Sequence, residues 1–214
     1  MVDIPKLPLE EYEVPSSEIK SQVGAINEYE GSVEYGVLGS GQCGGRLAKS
    51  FYDIGYKKAL AVNTATQDLT PLKIPDGQKL RIGSLEGSGK DMKKGERATK
   101  DDAQKIFDKM RSVFGTVDKV ILCVGLGGGT GAGGLTTLIA IAEKYLDFLG
   151  HAEPAKDIIV IAAMPTAGEL RSYTVKKNND MVQDVIFKLA VEDKVGPIIL
   201  IDNAKIENMY RGIP

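Results

Sequence analysis

The amino-acid sequence predicts an α/β fold: a Rossmann-like three-layer sandwich in which helices cover both faces of a mostly parallel sheet. Short segments rich in apolar residues alternate along the chain with longer amphipathic ones, which is typical of parallel strands buried on both sides. Glycine-rich loops follow several of the apolar segments, and ligands bind at the carboxyl ends of strands in such sheets. Hydrophobic residues make up 43% of the chain and charged residues 26%, which is enough for a substantial core.

The expected strands are short apolar segments bounded by turn residues. They are Val33–Leu38, Ala59–Asn63, Lys79–Ile82, Lys119–Val124, Asp157–Met164 and Pro197–Ile201. The expected helices carry apolar residues at helical spacing, as Ile106, Phe107 and Met110 do on one buried face. These helices are Gly44–Ile54, Ala98–Phe114, Leu135–Leu149 and Ser172–Val191. Residues 33–214 are therefore expected to form one domain.

Residues 1–32 are expected to be an N-terminal extension of that domain. Three early prolines interrupt regular structure at its start. A short helix is predicted from Ser16 or Ser17, either of which can cap it, to about Tyr29, because apolar residues recur there at helical spacing.

The charge and the composition exclude several classes of protein. Lys and Arg number 27 and Asp and Glu number 29, so the net charge of −2 argues against a strongly basic nucleic-acid-binding surface. No apolar run approaches the roughly 20 residues of a membrane span, and the acidic start lacks the apolar stretch of a secretion signal. Two cysteines, Cys43 and Cys123, are too few for a disulfide framework. A cytoplasmic protein that does not bind nucleic acid directly is therefore expected.

Glycine is unusually frequent, with 25 residues, and most of the glycines fall into three groups. The first is at positions 39, 41, 44 and 45, the second is at 83, 87, 89 and 95, and the third lies within Gly125–Gly134. A ligand can approach a glycine backbone closely because no Cβ stands in the way. Each group follows an expected strand, so the three loops should meet at one edge of the sheet.

The third group indicates a phosphate site. Gly127, Gly128, Gly129 and Gly131 lie between an apolar strand and a long helix, where successive free amides can form a nest for an anion. The N-terminus of that helix adds its dipole and its unpaired N–H groups. The hydroxyl of Thr130 could donate to a phosphate oxygen. One such loop suits one phosphate group, and two loops facing each other suit a di- or triphosphate.

The first group permits a second interpretation. Gly39-Ser-Gly-Gln-Cys-Gly44 matches the G-x-G-x-x-G pattern of dinucleotide-binding folds, which would make the protein an NAD(P)-dependent oxidoreductase. In that class an acidic residue about 20 positions later usually holds the ribose, and here Asn63 ends the second strand instead. The P-loop pattern is not met, since Gly89-Lys90 is followed by Asp91.

Several motifs, in the same order along the chain, resemble the tubulin/FtsZ superfamily. Gly-Gly-Gly-Thr-Gly-Ala-Gly at 127–133 looks like its signature phosphate loop, and Gly41-Gln-Cys-Gly44 resembles the first loop of tubulins. The segment 63–69 is similar to the FtsZ segment after the second strand, and 167–171 falls at its ribose-contacting E-G-x-x-R. Asp202-Asn203 falls where the family has an Asn that contacts base and ribose.

This resemblance implies the GTP-binding domain of a divergent cytoskeletal GTPase, FtsZ-like or similar to the plasmid and phage tubulins. It implies GTP or GDP with Mg²⁺, head-to-tail self-association into filaments, a possible adaptor protein, and hydrolysis completed by a neighbouring subunit. The residues expected to bind nucleotide are Gly41, Gln42, Cys43, Gly44, Gly45, Asn63, Gly89, Gly127, Gly128, Gly129, Thr130, Gly131, Glu169, Arg171 and Asn203. The family's second, activation domain has no counterpart within 33–214, so this chain alone is expected to bind nucleotide without efficient hydrolysis. A non-catalytic nucleotide-binding interaction module is the remaining hypothesis.

Individual residues depart from the family pattern or stand outside it. Gly45 replaces an Asn, and Ala167 replaces the Glu of E-G-x-x-R, so Glu169 would have to substitute for that carboxylate. Lys90 either contacts a terminal phosphate or belongs to a solvated turn. His151, the only histidine, is expected at the surface, and a single histidine excludes a multi-His metal site. No side chain is identified as catalytic.

Overall fold

The structure, a computed structural model, describes residues 1–9, 33–84 and 86–210. Its six strands are β1 (Tyr35–Ser40), β2 (Ala59–Asn63), β3 (Lys79–Arg81), β4 (Lys119–Gly125), β5 (Ile158–Met164) and β6 (Ile198–Asp202). They form one sheet in the order β3-β2-β1-β4-β5-β6, and all neighbours are parallel. This is the order of a doubly wound sheet whose switch point lies between β1 and β4. The predicted α/β class is confirmed, and each strand lies within two residues of its predicted bounds.

Seven α-helices accompany the strands in the described part of the chain. They are α1 (Gly41–Asp53), α2 (Thr66–Leu69), α3 (Met92–Asp101), α4 (Ala103–Phe114), α5 (Thr130–Phe148), α6 (Tyr173–Val191) and α7 (Asn203–Tyr210). The short α2 and the C-terminal α7 have no counterpart among the predicted helices. No helix of the described residues is long and apolar enough to cross a bilayer.

The single helix predicted over Ala98–Phe114 is wrong, because the chain breaks there into α3 and α4. Asp102 separates them with φ −105° and ψ 20°, outside the helical range. Its carboxylate accepts a hydrogen bond from the backbone N–H of Gly83 at 2.6 Å. A short polar side chain that bonds to backbone competes with the helix, so the two segments pack as separate elements.

Helices cover both faces of the sheet, since consecutive strand residues point to opposite sides. Leu38 in β1 belongs to the larger core, to which α4, α5 and α6 contribute. Its neighbour Val37 belongs to a smaller core under α1. In β2, Leu60 likewise belongs to the larger core and Ala59 to the smaller one. Strands buried on both sides need apolar residues at every position, which explains the continuous apolar segments of β1, β2, β4 and β5. In β6, by contrast, Ile199 and Leu200 are about half exposed.

The described N-terminal residues 1–9 pack against the domain. Leu9 is buried in the larger core, and the backbone N–H of Val2 donates to the Glu192 carboxylate at 3.0 Å. The helix predicted up to Tyr29 lies outside the described residues. The start of the extension is thus part of the domain's packing.

His151 does not lie free at the surface, and this prediction is wrong. The ring is half-buried, with Nδ1 at 2.8 Å from Asp157 Oδ2 and Nε2 at 3.1 Å from the carbonyl oxygen of Val117. Lys119 Nζ donates to the other oxygen of Asp157 at 2.6 Å. Partial burial raises the pKa of Asp157, but the hydrogen bonds and charges of Lys119 and His151 together hold it below its ordinary value. This cluster lies at the amino ends of β4 and β5.

Candidate functional site

A cavity of about 560 Å³ lies at the carboxyl ends of the strands. All but three of the predicted nucleotide-binding residues line it: Gly41, Gln42, Cys43, Asn63, Gly89, Gly127, Gly128, Gly129, Thr130, Gly131, Glu169 and Asn203. They come from loops far apart in sequence. The parallel sheet brings them together because the loops after its strands all emerge at the same edge.

Gly44, Gly45 and Arg171 do not line this cavity. A Cβ on Gly44 would lie 2.1 Å from the carbonyl oxygen of Cys123 in β4, and one on Gly45 would lie 3.2 Å from Leu72 Cδ1. Gly44 therefore allows α1 to pack closely on β4, and Gly45 leaves room for Leu72, which follows α2. Arg171 is exposed at the end of a short 3₁₀ turn.

The loop from Gly125 to Gly131 forms one wall, and its glycines have different surroundings. A Cβ on Gly127 would lie 2.7 Å from Val175 Cγ1, and one on Gly129 would lie 2.4 Å from Ser88 Oγ. By contrast, a Cβ on Gly128 would meet nothing closer than 3.9 Å. Gly128 therefore faces open cavity, where a ligand can touch its backbone.

The N-terminus of α5 follows directly and opens onto the same space. Within the described residues, the backbone N–H groups of Gly128 and Gly129 donate to no other group. Free amides ahead of a helix N-terminus attract an anion, since their partial positive charges add to the helix dipole.

Four hydroxyl groups from four different loops gather beside this wall. Thr130 Oγ1 lies 2.8 Å from Thr64 Oγ1 and 3.2 Å from Ser88 Oγ, and all three residues are buried. Ser40 Oγ is also buried and has no hydrogen-bond partner in the described structure. Ser40 lines the cavity, but its Oγ has almost no accessible surface there, so a rotation into the cavity would let this hydroxyl meet a ligand oxygen.

Three of these hydroxyl residues, Ser40, Thr64 and Ser88, are absent from the sequence-based site. Each nevertheless follows an expected strand or lies in a glycine-rich loop, and that position could have identified them. Thr130, which the sequence assigns to phosphate, already contacts two protein hydroxyls. It therefore also ties the β2 loop and the 83–91 loop to the glycine loop.

A carboxylate, that of Asp68, also lines the cavity. Asp68 accepts hydrogen bonds from Gln42 Nε2 and Asn63 Nδ2, both at 3.1 Å. The side-chain Oδ1 of Asn63 in turn accepts from the backbone N–H of Ala65 at 3.3 Å. Asp68, missed in the sequence, thus joins the first loop to the end of β2. In the described chain no three His, Cys, Asp or Glu residues cluster as a metal site.

The far end of the cavity is formed by the loop after β5 and by the start of α7. Glu169 accepts from the N–H of Thr166 at 2.9 Å and from its hydroxyl at 3.1 Å. Burial raises the pKa of the Cys43 thiol, the negative charge of Glu169 adds to that effect, and the Arg46 guanidinium opposes it. Cys43 is therefore a neutral wall residue at pH 7. Asn203 opens α7 and also lines this end.

Comparison with known proteins assigns the chain to a family. Residues 34–211 match the family model described as "Tubulin/FtsZ family, GTPase domain". The chain is 35% identical over 179 residues to the tubulin-like protein CetZ of Pyrococcus abyssi, which covers 80% of this chain and 45% of that protein. It is 35% identical over 140 residues to cell division protein FtsZ 1 of Pyrococcus furiosus, a match that covers 63% of this chain and 36% of that protein. The chain thus spans less than half the length of these curated relatives.

Solved structures share the fold. The GDP-bound CetZ1 monomer of Haloferax volcanii superimposes with a TM-score of 0.65 at 27% identity, covering 80% of this chain and 51% of that one. A GTPγS-form protofilament of TubZ from Bacillus thuringiensis serovar israelensis superimposes with a TM-score of 0.65 at 18% identity. This match covers 86% of this chain and 50% of that one. The latter identity supports likeness of fold alone. An NAD(P)-dependent oxidoreductase is not favoured by any of these similarities. The chain belongs to the tubulin/FtsZ family, and the part that matches is its GTPase domain.

Proposed function

We propose that this domain binds GTP and GDP in the cavity. It would be the nucleotide-binding domain of a cytoskeletal GTPase that polymerises head to tail. The observation that carries the proposal is the open space at Gly128 beside the free N–H groups of Gly128 and Gly129. A polyphosphate accepts hydrogen bonds from such a cradle. The family assignment supports guanine as the base.

The phosphates would lie along the glycine loop and the hydroxyl cluster, with the unpartnered Ser40 hydroxyl donating to them. Asn203 and Glu169, at the far end of the cavity, would then face base and ribose. Arg171 would reach the ribose only by turning inward from its exposed position. The free backbone N–H groups lie at the glycine-loop end of the cavity. This suits a nucleotide, because its phosphates are charged and its base is neutral.

Mg²⁺ would complete the charge balance of bound GTP. Mg²⁺ in nucleotide sites is commonly held by one or two carboxylates, water and the phosphates themselves rather than by a protein cage. Asp68 fits this pattern as a cavity-lining carboxylate that neighbouring amides hold in place. When bound, the metal would neutralise charge on the phosphate oxygens.

Assembly and hydrolysis belong to the proposal for the whole protein. TubZ from Bacillus thuringiensis serovar israelensis and CetZ2 from Haloferax volcanii have been solved as protofilaments, and a heterologous, head-to-tail contact builds open filaments. We expect a neighbouring subunit to complete hydrolysis, so the 214-residue chain alone should bind nucleotide and release phosphate slowly. The proposal includes a cytoplasmic location and an adaptor protein that binds the filament.

Substitution of Gly128 tests the binding site directly. Gly128→Val should weaken GDP and GTP binding at least a hundredfold, because the side chain would occupy the ligand's space while meeting no protein atom at its Cβ. Calorimetry with Mg²⁺ measures the affinity, and urea unfolding checks that the fold persists. Gly77→Val is the matched control, since a Cβ on Gly77 meets nothing within 4 Å, one on Gly128 meets only the Gly125 carbonyl oxygen at 3.9 Å, and Gly77 lies outside the cavity.

The alternatives give different results in the same assay. Unchanged GDP affinity in Gly128→Val would contradict the cradle, and tighter binding of NADH than of GDP would favour the oxidoreductase. Rapid phosphate release and sedimenting filaments from the chain alone would argue against the non-catalytic module. Chromatography of nucleotide released from the denatured protein identifies the base independently.

A further inference from the structure

Asn178 holds two loops of the candidate site together without lining the cavity itself. It lies in α6 and is 5% exposed. Its Nδ2 group lies 2.8 Å from the carbonyl oxygen of Lys90, 3.3 Å from that of Gly127 and 3.2 Å from that of Gly128. A side-chain amide has two hydrogens to donate, so three backbone acceptors share them.

These contacts fix the direction in which the glycine loop turns its peptide groups. The described residues contain no cis peptide bond, and in a trans peptide the C=O and the following N–H point in opposite directions. Because the carbonyls of Gly127 and Gly128 face Asn178, the N–H groups of Gly128 and Gly129 face away from it. That side is the cavity, which these glycines line and Asn178 does not.

We infer that Asn178 is a positioning residue for the phosphates of the nucleotide, an inference that rests on the proposed function. It acts through the backbone by aiming two adjacent amides at the space beside Gly128. Through Lys90 it also fixes the 87–91 loop to the same cradle. Amides held in place before binding need not be ordered when the ligand arrives, so the arrangement raises affinity.

The nature of the residue matters as much as its position. Asp at 178 would place an acceptor against three backbone carbonyls, because an ionised carboxylate has no hydrogen to donate. Ala would leave those carbonyls without their donor. Asn179, the next residue, provides a control: it is also 5% exposed, and within the described residues its Nδ2 donates only to Asp180, at 3.3 Å.

The test compares Asn178→Ala, Asn178→Asp and Asn179→Ala in the full chain. We expect GDP affinity to fall about tenfold in Asn178→Ala, in line with the loss of a shared hydrogen bond, and further in Asn178→Asp. Guanosine, which has no phosphate, should bind all variants within about twofold of wild type when titrated at millimolar concentration. Asn179→Ala should also retain GDP affinity within about twofold. GDP affinity unchanged in Asn178→Ala, or an equal loss for guanosine, would overturn the inference.

A second measurement on the wild-type chain does not depend on a variant that folds. In amide NMR spectra, the Gly128 and Gly129 signals should shift on addition of GDP and stay in place with guanosine. If the protein binds GDP but the Gly128 and Gly129 signals do not shift, the inference is overturned and the proposed function remains intact. A wild-type chain that binds neither GDP nor GTP would instead remove the proposed function itself.

Discussion

At the scale of single residues, neighbouring glycines of the 125–131 loop are needed for different reasons. A side chain on Gly129 would collide with Ser88 Oγ at 2.4 Å, whereas one on Gly128 would enter the cavity. Two residues outside this loop contribute to the same site. Ser40 has an unpartnered hydroxyl, and the Asn178 amide donates to the carbonyl groups of Gly127 and Gly128. The motif therefore depends on residues that it does not contain.

Lys90 combines a strained backbone with a position at the cavity. Its φ of 64° lies in the left-handed region, which costs most L-residues about 1 kcal/mol and which Asn tolerates better. Lys90 is exposed and lines the cavity. Lys90→Asn should therefore keep or slightly raise the stability to urea and lower GTP affinity severalfold more than GDP affinity, because a positive charge near the terminal phosphate is lost.

Lys93→Asn serves as the control for that comparison. Lys93 is likewise exposed but does not line the cavity, so the substitution should leave the ratio of GTP to GDP affinity unchanged. If the ratio of GTP to GDP affinity is the same in Lys90→Asn and Lys93→Asn, Lys90 belongs only to a solvated turn.

At the scale of elements, part of the glycine excess serves the crossing of α3 over α5. A Cβ on Gly95 in α3 would lie 2.1 Å from the carbonyl oxygen of Gly129, and one on Gly133 in α5 would lie 2.1 Å from that of Met92. Gly134 faces Thr99 in the same way, at 2.5 Å. The two helices are therefore in near backbone contact. The third glycine group thus has cavity-lining glycines at its start and helix-packing glycines at its end.

Gly133→Ala should consequently destabilise the fold rather than block the ligand. The added methyl group meets backbone atoms of α3, which cannot rotate away, so the helices must shift at an expected cost of about 2 kcal/mol. Urea unfolding should show this loss, while GDP affinity of the folded protein stays within a few-fold, since Gly133 does not line the cavity. Gly77→Ala, with open space around its Cβ, should be neutral. Unaltered stability in Gly133→Ala would mean that α3 and α5 have more room than the structure shows.

At the scale of the whole molecule, the sequence predicts the sheet better than the site. Continuous apolar segments such as Lys119–Val124 reveal buried parallel strands locally, and the glycine loops then converge through topology alone. The break at Asp102 depends on a contact with Gly83, which lies far away in the chain. Asn178 and Ser88 act through partners in other elements, so only the tertiary structure reveals them. For the same reason, the sequence alone does not reveal that Gly44 and Gly45 lie outside the cavity lining and close to Cys123 and Leu72.

The charged cluster of Asp157, Lys119 and His151 lies at the amino ends of the strands, and it tests whether this end of the sheet acts separately from the cavity. Asp157 pairs with Lys119 at 2.6 Å and with His151 at 2.8 Å, away from the cavity. Asp157→Asn should lower the stability at pH 7 by about 1 kcal/mol and leave GDP affinity unchanged. Because the pKa of Asp157 is lowered on folding, its contribution is complete above the ordinary Asp pKa of about 3.9 and is lost as the pH falls through the lower folded value.

Urea unfolding of wild type and Asp157→Asn between pH 7 and pH 3 measures that contribution as the difference between the two midpoints. The difference should be largest near neutral pH and shrink as the pH falls below the ordinary Asp pKa of about 3.9, because the unfolded wild-type chain then takes up a proton that the folded carboxylate resists. Asp76→Asn is the control, since Asp76 is 97% exposed and pairs only with Lys79 in the described structure, and such surface pairs contribute little. A difference that persists undiminished at pH 3, or a loss of GDP affinity in Asp157→Asn, would contradict a purely structural charge cluster at this end of the sheet.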